Sequence, residues 1–377
     1  MNVQVSSVGV GRFGKRAEGW LELAAEAATL ALDGLGRKPI DLLVVGSMLT
    51  GAVNGLESTV PRLASRIGME SASGLRVEAA SATGAAAFQA AVLAIESGRH
   101  ERALVVAAEK MTDHPTADIA RALASSLHPS EVAIGATMPG LAALVSQRYS
   151  GRYGLPTSVY DAVSVHMRRR AAQNPNAQFR TPVTPEEVAA SRPVAMPLRL
   201  LHCGAISDGA VAVVIEKGAG PASVLGFGQG LDTMRIIDRV DSTSFAATRI
   251  AAKRAYEMAC ITRKEIEFVE LHDAFAPFAL IDLEDLGFCG PGEAGSWFTE
   301  GWVAPDGRLP VNPSGGILGR GHPVGASGLA EIAEVACQLR GEAGDRALPR
   351  LPRVGLAQSI GGLASHNFVT ILGREAA

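Results

Sequence analysis

Residues 75–110 read LRVEAASATGAAAFQAAVLAIESGRHERALVVAAEK, and the fold follows from how this stretch divides. LRVEA at 75–79 has the pattern of a short strand. SATG at 81–84 is a tight turn, and the alanine-rich run behind it predicts a helix over 83–97 that Gly98 ends. RALVVAAEK at 102–110 has an unbroken apolar run over 103–108, the mark of a buried strand. A chain that passes from strand through turn and helix into a buried strand is building an α/β layer structure.

Working outward, the same alternation recurs. A strand at 3–10, a helix at 17–33 with Trp20, Leu21, Ala24, Ala28 and Leu32 near one face, a strand at 41–47 and a helix at 60–67 precede the stretch. Far downstream a helix at 243–259, a strand at 266–271, helices at 275–286 and 325–340, and strands at 353–359 and 364–372 repeat the order. Two similar halves are therefore expected, residues 1–225 and 226–377, with an inserted, lid-like segment over about 111–205. SDGAVAVVIE at 207–216 returns to a central strand, and the seam falls near 220–240, where GFGQGLD supplies flexible turns. The architecture implied is a five-layer α/β/α/β/α body, two buried sheets sharing a central helical layer.

Composition bounds the function. The chain has 377 residues, more than one ordinary core serves. Its 35 basic and 38 acidic residues give a net charge of −3, with no basic surplus to wrap nucleic acid. The four cysteines, Cys203, Cys260, Cys289 and Cys337, lie far apart without a CxxC or Cys/His cluster, so reduced buried thiols are expected and a structural metal is not. No apolar run reaches the roughly 20 residues of a membrane span, and the N-terminus lacks the pattern of a secretory leader. A cytoplasmic protein is expected.

Three blocks carry chemistry. GGILGRGHPVGASG at 315–328 bends glycines around His322 and sets Pro323 in a first-turn position; a histidine so held can act as a general base or donate to an oxyanion. VELHDAFAPF at 269–278 puts His272 just past a buried strand, where α/β proteins expose functional groups. Asp273 beside it either caps the next helix or orients a histidine. In EAASATG at 78–84, the Ser81 hydroxyl is either the helix N-cap or a nucleophile at the helix's positive end. Neither a GxSxG nor a P-loop pattern is present. In the inserted segment, Arg168, Arg169 and Arg170 form a solvated helix end or a phosphate contact, and Met111, Met138, Phe179 and Met196 either pack or line a bulky-substrate pocket.

As an ordered series these blocks resemble the thiolase superfamily, in particular its archaeal-type and sterol-carrier-protein-type members. VEAASATG, HDAF and GGILGRGHPVGASG carry the resemblance, joined by AEKMTDH at 108–114, GATMPGLAALVSQRY at 135–149 and SRPVAMPLRLLHCGAISDGAVAVV at 191–214. The resemblance implies an acyl-enzyme followed by Claisen carbon–carbon bond formation, or its thiolytic reverse. It assigns His322 to activation of the nucleophile, His272 to the thioester oxygen of the enolate, and backbone N–H groups at Ser81 and Gly361 to a second oxyanion site. Ser359 falls where many classical thiolases carry a second acid/base cysteine. No tightly bound cofactor is implied; coenzyme A or an acyl-CoA enters as substrate. A homodimer is expected, with a small zinc-ribbon/OB-fold protein as a further partner.

The chain departs from this family at its nucleophile, where Ser81 replaces cysteine. A serine hydroxyl is harder to ionise than a thiol, and its ester is more stable towards CoA than a thioester is. Three readings stand. Ser81 is an engineered substitution that traps a complex; it is a natural nucleophile or positioning hydroxyl; or the chain is a retro-aldolase acting on a β-hydroxyacyl-CoA, or a non-catalytic subunit. Aldolases of this kind often use tyrosine as the acid/base group, and the chain offers Tyr149, Tyr153, Tyr160 and Tyr256.

Overall fold

A computed structural model of the chain describes residues 1–33, 35 and 39–374. Its backbone is one nine-stranded sheet. The strands are β1 (Val3–Val10), β2 (Leu42–Gly46), β3 (Ser73–Val77), β4 (Arg102–Glu109), β5 (Gly209–Lys217), β6 (Ser223–Leu231), β7 (Phe268–Glu270), β8 (Val354–Gly361) and β9 (His366–Gly373). Their spatial order is β3-β2-β4-β5-β1-β6-β9-β8-β7. The helices that build the layers and the site are α1 (Trp20–Leu32), α2 (Thr83–Glu96), α3 (Thr116–Ala124), α4 (Met138–Tyr153), α5 (Ser158–Ala171), α6 (Ala246–Ala259), α7 (Ala276–Asp285), α8 (Gly316–Arg320) and α9 (Val324–Arg340).

The two expected sheets are joined into one. The join is narrow: β1 meets β6 only at Gln4↔Ser223, supported by the Val5 N–H donating to the Ala222 carbonyl at 2.9 Å. On either side the halves behave as separate sheets, each with a helix layer outside and a shared layer within. Helix α1 covers the outer face of β5 and β1, α6 the outer face of β6 and β9, and α2 and α9 lie together between the halves. The fold is the expected five-layer α/β/α/β/α body. β4 shows why its sequence is apolar throughout: Leu104, Val106 and Ala108 enter the outer core with Trp20 and Leu23, while Ala103, Val105 and Ala107 enter the inner core with Phe88 and Leu329.

Three local expectations are corrected. GFGQGLD, read as flexible turns, is β6. Its glycines at 226, 228 and 230 share one strand face, and α6 lies against it at backbone contact. A Cβ at Gly226 would sit 2.5 Å from the Ala255 carbonyl oxygen, and those at Gly228 and Gly230 would overlap the carbonyls of Ala251 and Ala247. These glycines permit close approach, not a bend. The middle layer is equally tight: a Cβ on Gly84 of α2 would come within 2.5 Å of the Leu329 nitrogen of α9.

The arginine run is not a solvated end. Only Arg169 is exposed. Arg170 is buried and donates to Gln173 Oε1 at 2.6 Å, and the Arg168 guanidinium lies 4.3 Å from the centre of the Phe179 ring. Nor are the cysteines fully buried: Cys203, Cys289 and Cys337 are half-buried, and Cys260 is exposed, in a left-handed conformation at the end of α6. Among the described residues no helix is long and apolar enough to cross a membrane, and no group of acidic, histidine and cysteine side chains is arranged to hold a metal.

Candidate active site

The turn before α2 is held by Thr83. Its hydroxyl accepts the Ala79 N–H at 2.9 Å and donates to the Ala80 carbonyl at 2.6 Å, while Ala80 takes a left-handed φ of 50°. Ser81 is thereby lifted to the N-terminal end of a 14-residue helix, 9% exposed, but it does not cap that helix. The capping alternative is set aside because Thr83 already satisfies the turn.

His272 follows β7, which pairs in parallel with β8. Its backbone N–H donates to Gln358 Oε1 at 3.0 Å, and its Nδ1 lies 3.2 Å from Glu331 Oε1 on α9. Asp273 does not cap α7. Its carboxylate accepts the backbone N–H groups of Ile317 at 2.6 Å and Leu318 at 3.2 Å and the Asn312 side-chain amide at 3.1 Å. Asp273 thus ties the His272 loop to α8, the element that delivers the other histidine.

His322 sits between α8 and α9, after Gly321 with φ 107°. Its N–H is shared between the Ala205 carbonyl at 3.1 Å and Ser207 Oγ at 2.9 Å. Its Nδ1 meets Ser327 Oγ at 2.8 Å, and the Ser327 hydroxyl in turn donates to the Pro323 carbonyl at 3.4 Å. With Ser327 accepting Nδ1–H, His322 Nε2 keeps a lone pair, the form a general base needs. The two imidazoles meet edge to face with centroids 5.3 Å apart. Burial, reinforced by Arg320, lowers His272 to about 3; burial, then His272 and Arg320, hold His322 well below the usual histidine range. Both rings are neutral near pH 7.

Ser81, His272 and His322 converge on one cavity of about 190 Å3. Its walls are apolar, among them Met48, Met111, Leu123, Met138, Phe275 and Ile360. The inserted segment supplies one wall through α3 and the start of α4. Two of the four pocket candidates are in place: Met111 and Met138 line the cavity, whereas Phe179 stacks on Arg168 and Met196 is exposed. None of the four tyrosines lines it. Ser359 and Gly361 lie on β8 beside the wall residues Ile360 and Gly362. The Ser359 hydroxyl turns from the cavity and donates to Glu331 Oε2 at 2.8 Å.

Two residues were not read as part of the site from the sequence. Cys203 lies on the cavity wall, its thiol pushed up to about 12 by burial and bonded to the Arg199 carbonyl at 3.4 Å, a neutral wall group and no thiolate. Glu331 lies beneath His272, 1% exposed. The available signal was a pair of acidic residues, Glu331 and Glu334, within GLAEIAEVAC, a run otherwise apolar enough to be buried.

Residues 6–196 match the thiolase N-terminal domain family, and residues 228–374 match the thiolase C-terminal domain-like family. An acetyl-CoA acetyltransferase of Methanothermobacter thermautotrophicus is 38% identical over 99% of this chain and 100% of its own length. A 17-hydroxy-3-oxo-4-pregnene-20-carboxyl-CoA lyase of Mycobacterium tuberculosis is 36% identical over 53% of this chain and 54% of its own. Among solved structures, an Ltp2–ChsH2 aldolase superposes with a TM-score of 0.84 at 26% identity, covering 99% of this chain and 98% of that one.

Proposed function

Because this chain belongs to the thiolase family, we propose that it is an acyl-CoA C-acyltransferase that cleaves a β-ketoacyl-CoA by thiolysis or runs the reverse Claisen condensation. The observation that carries this reading is the convergence of Ser81, His272 and His322 on one apolar cavity, with the two rings 5.3 Å apart. His322, with Nε2 free to accept, takes the proton of the attacking group. His272 steadies the negative oxygen of the thioester-derived enolate, where a fixed donor in a dry wall is worth most. Ser81, at the positive end of α2, accepts the acyl group or positions it; backbone N–H groups at Ser81 and Gly361 serve the tetrahedral oxygen. Ser359 acts through Glu331, not on the substrate directly.

Coenzyme A and its thioesters are the substrates of this scheme, with no tightly bound cofactor. A homodimer is part of the reading. A small zinc-ribbon/OB-fold partner is its extension, supported by a structural relative that bears two component names.

A second reading, retro-aldol cleavage of a β-hydroxyacyl-CoA, is favoured by one observation, the serine at position 81, together with similarity to a lyase and an aldolase. It needs an acid/base group for the β-hydroxyl, and the cavity wall offers histidines but no tyrosine. Product analysis separates the two. Incubation with matched β-ketoacyl- and β-hydroxyacyl-CoAs plus free CoA is expected to yield a shortened acyl-CoA from the former. Release of an aldehyde or ketone from the latter, with no thiolysis, would overturn the first reading.

A further inference from the structure

We infer that Glu331 is a positioning residue that fixes His272 as the Nε2–H tautomer, opposite to the tautomer that Ser327 imposes on His322. The inference deepens the acyl-transfer reading, on which its catalytic consequence rests, but the geometry stands independently. Glu331 Oε1 is 3.2 Å from His272 Nδ1, and Oε2 accepts the Ser359 hydroxyl at 2.8 Å. All three groups are sealed, His272 and Glu331 at 1% exposure and Ser359 at 2%.

The proton is located by elimination. Among the described residues Glu331 hydrogen-bonds no lysine or arginine; the guanidinium of Arg320 on α8 acts on it only from a distance. From α7, Asp282 faces the same region, itself held protonated by burial and bonded to Gln358. His322 contributes no charge, being neutral. Burial therefore holds the Glu331 carboxyl up at about 8, so it keeps its proton at pH 7. Since Oε2 is occupied as an acceptor, that proton sits on Oε1 and is donated to His272 Nδ1. A neutral imidazole that accepts at Nδ1 carries its own proton on Nε2. His272 then presents an N–H to the cavity, as an oxyanion donor must, while His322 presents a lone pair. One cavity holds a donor and a base made from the same side chain.

The test is the tautomeric state of His272 in the full-length protein labelled with 15N, read from long-range 1H–15N correlations at pH 7. The protein has eight histidines, and His272→Asn identifies the relevant signals. Wild type is expected to show Nε2 protonated and Nδ1 bare for His272, with the reverse for His322. Glu331→Leu should lose that preference and lower kcat roughly 10²-fold, the scale of one lost oxyanion donor, with KM changed far less. Glu331→Gln can donate its amide N–H to Nδ1 and accept from Ser359 through its oxygen. It should restore the tautomer and most of the rate, and it should lack the decline in kcat expected of wild type as Glu331 ionises above about pH 8. An Nδ1–H tautomer in wild-type His272, or Glu331→Gln as impaired as Glu331→Leu, overturns the inference. The tautomer is read without turnover, so failure of the acyl-transfer reading would leave that result intact.

Discussion

Ser81 stands where a thiol would be far easier to activate. A free thiol ionises near pH 8.5 and is pulled lower at a helix N-terminus beside a histidine, whereas a hydroxyl there stays protonated until a base removes its proton during attack. The surrounding residues are nonetheless arranged for a nucleophile: Thr83, not Ser81, supports the turn, so the Ser81 hydroxyl is left for the cavity. Thr83→Val should cost about 1–3 kcal/mol in urea unfolding, because the buried Ala79 N–H loses its acceptor. Acyl transfer should fall further than stability alone explains as Ser81 shifts; unchanged unfolding and activity would contradict the role given to Thr83. At this scale the sequence made Ser81, His272 and His322 legible, since the first two sit in turns just after a strand and the third in a glycine-marked block between two helices. It hid Glu331, because a glutamate on a helix ordinarily marks the solvated face, and nothing local says that α9 is buried all round.

Elements were legible where apolar residues fill both sheet faces, as in β4, and illegible where close packing replaces side chains by glycine. β6 is the clear case. Its alternate glycines resemble a turn in one dimension, while in three they let α6 lie on the strand. The continuity of the sheet was hidden for a related reason, since it depends on a single residue pair across β1 and β6. The contact of α2 with α9 offers a test of packing at this scale. In Gly84→Ala the new methyl would meet the Leu329 nitrogen at 2.5 Å and its Cβ at 2.8 Å, so the helices must separate. The expected cost is about 1–3 kcal/mol by chemical denaturation, with loss of activity because the turn that leads into α2 holds Ser81 and α9 carries Glu331 and Ser327. A variant as stable as wild type would show that the helix interface gives way without cost.

At the scale of the whole molecule, several acids of the interior hold their protons up to neutral pH. Burial lifts Glu109, Asp273 and Asp285 to about 7, and Glu270 and Glu331 to about 8. The unfolded chain has released these protons by about pH 5.5 while the folded chain still holds them, so their stabilising contribution is full at low pH and is lost as pH rises through 7 to 8. Buried histidines work in the opposite sense, but only below about pH 6.5, since His272 and His166 are lowered to about 3 and 4. Urea unfolding should therefore show stability falling between about pH 6.5 and 8.5, and a flat or rising profile would contradict this distribution of protons. The same buried architecture brings the cavity together from both halves, which is why function is best tested on the intact chain. The most direct measurement is intact-mass spectrometry of the protein and of Ser81→Cys after exposure to a set of acyl-CoAs, with and without added CoA. The account predicts a covalent acyl adduct that is stronger in Ser81→Cys and is removed by free CoA, together with faster thiolysis. No adduct on either protein, while the Ser81 form releases an aldehyde or ketone from a β-hydroxyacyl-CoA, would contradict it.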